Sequence, residues 1–154
     1  MPSPLLLDSN ILSKVVHPSA EEHRSIATAI QRLFKDNRFE VFVPEITDYE
    51  LRRKLLHIGY RPHQGRKWAR EALIELDQIA SQGYLPLTTE AMKLAASLWA
   101  QTRSEGRLRG PEESLDTDII LVAQARQAGG QIVTTNEKHF WGIADLFDWR
   151  SFQP

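Results

Sequence analysis

Cysteine is absent from the 154 residues. Disulfides and thiolate metal sites are therefore excluded, which fits a reducing, cytoplasmic setting and gives no support for secretion. No apolar run approaches the length of a membrane span. No basic residue precedes Lys14, and Asp8 interrupts the short apolar run at the start, so that run does not read as a signal peptide. There is no G-x-S-x-G elbow to anchor Ser-His-Asp hydrolysis. There is also no G-x-G-x-x-G and no P-loop to cradle a dinucleotide or nucleotide. The five histidines (His17, His23, His57, His63 and His139) include no i, i+4 pair of the kind a helical zinc site uses, and each reads as a surface or core residue. Repeats, low-complexity segments and linkers are missing too. The length suits one domain, residues 1–154, large enough to bury a core without cross-links.

What is present is unevenly placed. The net charge is −1, yet residues 51–70, LRRKLLHIGYRPHQGRKWAR, carry Arg52, Arg53, Lys54, Arg61, Arg66, Lys67 and Arg70 and no acid. That leaves twelve basic residues against twenty acids elsewhere. Such a run is most often a solvated helix face. Its sharper reading is a track for a phosphate backbone, with Trp68 embedded in it.

Hydrophobic periodicity alternates between two and 3.6 residues along the chain. PLLLD, FEVFVP (39–44), YLPLT (84–88) and QIVTTN (131–136) read as strands, and ADLFDW as a fifth, edge strand. Helices are expected over about 21–36, 45–58, 66–82, 89–104 and 117–128, with a polar loop at 105–114 and a short helix at 137–142. The β-α order implies an α/β fold, a parallel sheet of four to five strands in a three-layer α/β/α sandwich. In such sheets ligands sit beyond the carboxyl ends of the strands.

Acids collect at those ends. Asp8 and Asn10 follow the first strand, and Glu45, Asp48 and Glu50 the second. Asp116 and Asp118 open the buried helix, and Thr134, Thr135 and Asn136 close the fourth strand. Each has an ordinary structural alternative. Asp8 suits a turn or helix cap, Glu50 an i+4 pair with Lys54, and Asp116, Ser114 or Thr117 an N-cap. Their common placement is what those alternatives leave unexplained. Carboxylates brought together repel until one takes a proton or a cation joins them. Hard oxygen donors select Mg²⁺ or Mn²⁺, the ions of in-line phosphodiester cleavage.

The segments LLLDSNILS, VPEITDYELRRKLL and DTDIILVAQARQAGGQIVTTNEKHF, in this order and spacing, resemble the PIN domain, specifically the VapC-like toxins of bacterial type II toxin–antitoxin pairs. The resemblance runs over nearly the whole chain. It implies a PIN-like fold and metal-dependent endoribonuclease activity with Mg²⁺ or Mn²⁺. It assigns Asp8, Glu50 and Asp118 as metal-holding acids, Asp116 as an additional acid and Asn136 as the last site position. It implies a substrate-facing role for Arg52, Arg53, Lys54, Arg66, Lys67, Asn10 and Thr135. It further implies a cognate antitoxin docking on helices 45–82, and a homodimer. His139 departs from the family, which often carries an acid before the Phe140 position; fewer acids suit a single tightly held ion. The competing reading is a PIN fold that binds RNA or protein without cleaving. An aspartyl phosphatase or receiver domain fits poorly, because Asn10 stands where the phosphatase wants its second acid and residues 1–7 hold none.

Overall fold

The structure, a computed structural model, describes residues 1–17, 21–61, 66–106 and 112–152. Among these the chain runs β1 (Ser3–Leu7), α1 (Ser9–Val16), α2 (Glu21–Lys35), β2 (Phe39–Pro44), α3 (Glu45–Gly59), α4 (Arg66–Ala80), β3 (Tyr84–Leu85), α5 (Thr89–Ser104), α6 (Glu112–Ala128) and β4 (Gln131–Val133). A 3-10 turn follows at Glu137–Phe140. The four strands form one parallel sheet in the order β3-β2-β1-β4. The expected α/β sandwich is borne out, with four strands.

The three leucines of β1 show why the sheet is a middle layer. All three are fully buried. Leu5 and Leu7 point into a cluster with Ile11, Leu12, Ile30, Leu51, Leu55 and Leu76, side chains of α1 to α4. Leu6 points the other way, among Leu98 of α5, Ile119 and Val122 of α6, and Phe140. A strand alternates its faces, so an unbroken apolar run requires helices on both sides. Each leucine removed from water contributes roughly 1.5–3 kcal/mol.

The chain passes from β1 outward to β2 and β3, then returns to place β4 on the opposite side of β1. The crevice between the carboxyl ends of β1 and β4 is therefore the topological switch point. The Gly129–Gly130 pair shapes the return. Gly129 ends α6 at φ +65°, and a Cβ on Gly130 would stand 2.8 Å from both Leu6 Cδ1 and the Pro4 carbonyl oxygen.

Several expectations need correction. A helix, α1, starts immediately after Asp8 and takes in the eight residues SNILSKVV, which none of the expected helices includes. The third strand stops at Leu85, before Pro86. ADLFDW does not form a strand: Leu146 makes only an isolated bridge to Ile132, with the Ile132 amide donating to Asp145 O and the Phe147 amide to Ile132 O. The buried helix starts at Glu112, not 117, so Ser114, Asp116 and Thr117 lie inside it and none is its N-cap. Part of the expected polar loop, 107–111, lies outside the described residues, as do 62–65 of the basic stretch. No described helix is long and apolar enough to cross a membrane.

Candidate active site

Asp8 is held from three directions. Its backbone amide donates to Val133 O at 3.0 Å, tying the end of β1 to β4. Its side chain is the N-cap of α1, accepting from the Ser9 amide at 2.7 Å through Oδ1. Oδ2 accepts from the Thr134 hydroxyl at 2.7 Å and the Asn10 amide at 3.1 Å. The structural alternative and the site placement are thus both true of this residue. Burial pushes its carboxyl above the usual range; the Thr134 and Ser9 hydrogen bonds oppose that, and the nearby Glu50 charge adds to it.

Thr134 is itself fixed. Its carbonyl accepts from the Trp149 indole at 2.9 Å, and its hydroxyl accepts from the Asn136 amide at 3.0 Å. Asn10 Oδ1 accepts from the Thr135 amide at 3.1 Å. Asp8, Asn10 and Thr134 therefore form one network across the switch point. Its members position one another, and Asn10 is engaged inside it.

A cavity of about 520 Å³ opens at this edge of the sheet. Asp8, Glu50 and Asp118 line it, from the start of α1, from α3 and from α6. Ser9, Asn10, Ser13, Arg53, Lys54, Thr117, Asn136 and His139 line it as well. Glu50 accepts a short hydrogen bond from the Ser9 hydroxyl. Asp118 Oδ2 lies 3.2 Å from His139 Nδ1. Burial and the Asp8 charge, with a smaller part from Glu50, push the Asp118 carboxyl up to about 6, against the opposing pull of His139. Among the described residues none of the three acids pairs with a lysine or arginine.

The remaining residues singled out in the sequence lie elsewhere. Asp116 is exposed and lines a different, apolar groove with Met92, Ala95, Trp99 and Ile119. Positions two apart on a helix differ by about 200°, which separates Asp116 from Asp118. Arg52 is committed to Asp48 (3.0 and 2.9 Å) and to Asp77 (2.7 Å), joining α3 to α4. Arg66 donates to Arg61 O, and Lys67 stands 3.9 Å from Glu71 on the exposed side of α4. Neither these three nor Thr135 is among the residues lining the cavity. Ser9, Thr134 and His139 are the residues that sequence reasoning did not assign to the site. The serine and threonine beside the strand-end acids were the available signal.

The donor set is of hard oxygens, with one imidazole at the rim. Among the described residues no three histidine, aspartate or glutamate groups converge as closely as an assembled ion site requires. The set nevertheless fits a divalent cation by its chemistry. Two carboxyls displaced upward by burial and mutual repulsion are relieved by one cation between them.

Comparison with known proteins bears on the fold and the family. The family model described as PIN domain matches residues 5–146. Among solved structures, the chain is similar to one in DNA-bound VapBC from Salmonella typhimurium, with TM-score 0.70 and 20% identity, covering 97% of this chain and 99% of that one. It is similar to a chain of VapBC2 from Rickettsia felis bound to a promoter DNA fragment (TM-score 0.69, 16% identity, 94% and 96% covered). A chain of FitAcB from Neisseria gonorrhoeae compares at TM-score 0.68 and 19% identity, with 96% and 99% covered. No functionally curated protein matches the sequence.

Proposed function

The chain belongs to the PIN domain family, and from that premise we propose that it is a Mg²⁺- or Mn²⁺-dependent endoribonuclease, in one domain spanning 1–154. The observation that carries this reading is the cavity at the switch point. It gathers Asp8, Glu50 and Asp118 from three elements and holds no lysine or arginine paired to them among the described residues. Those three acids would hold the ion. When bound, it would lower the pKa of a water so that hydroxide is available to attack, and would offset charge on the scissile phosphate.

The chain's own residues do the rest. Thr134 and Asn10 hold Asp8 in one rotamer, and the Ser9 hydroxyl steers Glu50. Arg53 and Lys54, on the same cavity wall, bind the phosphates flanking the cleaved one. Arg66 and Lys67, exposed on α4, extend that grip outward. Asn136, exposed at the rim, offers a neutral amide to the substrate backbone. Asp116 contributes at most long-range negative charge from its separate groove.

We further propose that the protein is a cytoplasmic toxin component controlled by a cognate antitoxin that docks on α3 and α4. Leu56 on α3, Tyr60 at its end and Ile74 on α4 expose large apolar side chains of the kind a partner covers. The comparison chains come from VapBC and FitAcB complexes, which supports a two-component system. A homodimer is carried over from the family resemblance.

The test is incubation of purified, partner-free protein with a mixed RNA pool and Mn²⁺ or Mg²⁺. EDTA and Asp8→Asn serve as controls. Cleavage that requires both the ion and Asp8 is expected. No cleavage together with no Mn²⁺ binding would instead favour the PIN fold that binds without cutting.

A further inference from the structure

His139 does not sit in the core and is not a stray surface group. Its backbone is anchored: the His139 amide donates to Asn136 O at 3.1 Å, and the adjacent Phe140 is fully buried among α6 side chains. That anchoring places the imidazole on the wall of the cavity lined by Asp8, Glu50 and Asp118. Its Nδ1 is 3.2 Å from Asp118 Oδ2. That contact is a hydrogen bond between ring and carboxylate, and it keeps the imidazole beside the carboxyl oxygens of the site.

The donor types carry a consequence for ion choice. Carboxylate oxygens suit Mg²⁺ and Mn²⁺, whereas imidazole nitrogen raises affinity along the first transition series. We propose that His139 is a nitrogen donor to the ion site formed by Asp8, Glu50 and Asp118, and that it shifts that site's preference from Mg²⁺ toward imidazole-favouring ions such as Mn²⁺ and Co²⁺. This rests on the metal-dependent reading above and adds to it a residue that fixes ion selectivity.

The experiment is titration calorimetry of the tag-free full-length protein with Mg²⁺ and with Co²⁺, alongside the visible absorption of the Co²⁺ form. The sequence has no cysteine, so thiolate bands do not overlap the cobalt signal. His139→Ala is expected to weaken Co²⁺ binding by about ten-fold or more and to leave Mg²⁺ within about two-fold. The cobalt band should shift with the loss of nitrogen. His139→Gln keeps a hydrogen-bonding side chain beside Asp118 but is the poorer donor, and is expected to resemble His139→Ala. Full Co²⁺ affinity in the glutamine variant would show that the ring only positions Asp118, and would overturn the proposal. So would an unchanged Co²⁺-to-Mg²⁺ ratio and spectrum in His139→Ala. Asp8→Asn separates the two readings: if it loses Co²⁺ while His139→Ala does not, the ion site stands and the nitrogen ligand falls. Wild-type Co²⁺ binding in Asp8→Asn would remove both. Thermal unfolding of each variant confirms that it is folded, which the exposure of His139 favours.

Discussion

Asp48 and Glu50 lie two residues apart on α3 and meet opposite surroundings. Asp48 is buried and gripped by both nitrogens of one Arg52 fork, with Asp77 of α4 sharing the same guanidinium. Glu50 faces the cavity, joined to the Ser9 hydroxyl and near Asp8 and Asp118. Among the described residues the chain brings an arginine to the first group of acids, and to the second only the His139 ring beside Asp118, which is charged only when protonated. The first is a bolt between two helices. The second is left with repulsion that only a proton or an outside cation relieves. Arg52 therefore belongs to the architecture, whereas Arg53 and Lys54, one and two residues further on, reach the cavity.

The largest expected effect comes from removing charge in the open group. Asp8→Asn should abolish RNA cleavage and Mn²⁺ binding while the thermal midpoint holds or rises, since asparagine caps a helix as well as aspartate does. A nuclease assay paired with thermal unfolding checks both halves. Next comes the closed group. Arg52→Ala leaves Asp48 buried without its partner and should cost about 2 kcal/mol, reduced because Arg52 is one-third exposed. In a chain of this size the midpoint should fall by roughly 4–8 °C, and added Mn²⁺ should not remove the difference.

A smaller effect concerns pH. The Asp118 carboxyl is pushed up to about 6 in the folded protein, above its usual unfolded value. The folded state therefore holds that proton more tightly between about pH 4 and pH 6. The stability this proton confers is complete below that window and lost as pH rises through about 6. Metal-free protein should accordingly gain about 1 kcal/mol on going from pH 7 to pH 5, and Asp118→Asn should flatten that gain. A wild-type pH profile no steeper than the variant's would show that burial and the Asp8 charge do not raise this carboxyl. The smallest effect belongs to Lys67, which is exposed and only 3.9 Å-paired with Glu71. Lys67→Ala should change stability by less than about 0.5 kcal/mol. If α4 tracks RNA, the variant should lower the salt dependence of binding by about one counterion.

Much of the layered fold was legible because it depends on periodicity. The LLL run demanded cover on both faces, and β2, α2 and α5 fall within a residue of their expected bounds. The misses share a physical cause. Helix α1 begins directly at the strand end, so its first residues read as a turn, and the cap that starts it is the same Asp8 that marked the site. Residues 145–147 pair with β4 through one bridge only, held by the Ile132 amide on Asp145 O and the Phe147 amide on Ile132 O. At the site, the strand order put Asp8, Glu45, Asp48, Glu50, Asp116 and Asp118 toward one edge, the family resemblance singled out Asp8, Glu50 and Asp118, and the structure brings those three around one cavity. The sequence could not separate Asp116 from Asp118, because that depended on where α6 starts. Nor could it show what Thr134 and His139 bond to, because their partners lie 126 and 21 positions away.

The double duty of Asp8 also bears on how such a protein changes over generations. Exchanging one carboxylate oxygen for an amide leaves the helix start satisfied through Oδ1, and the Thr134 hydroxyl can turn to accept where it had donated, so that only the Asn10 amide loses its acceptor on Oδ2. Aspartate and asparagine codons differ by a single base. If Asp8 carries the proposed chemistry, its loss thus has a one-step route that spares the scaffold. The disarmed descendant would still fold, and any partner surface on α3 and α4 would survive the loss of the chemistry.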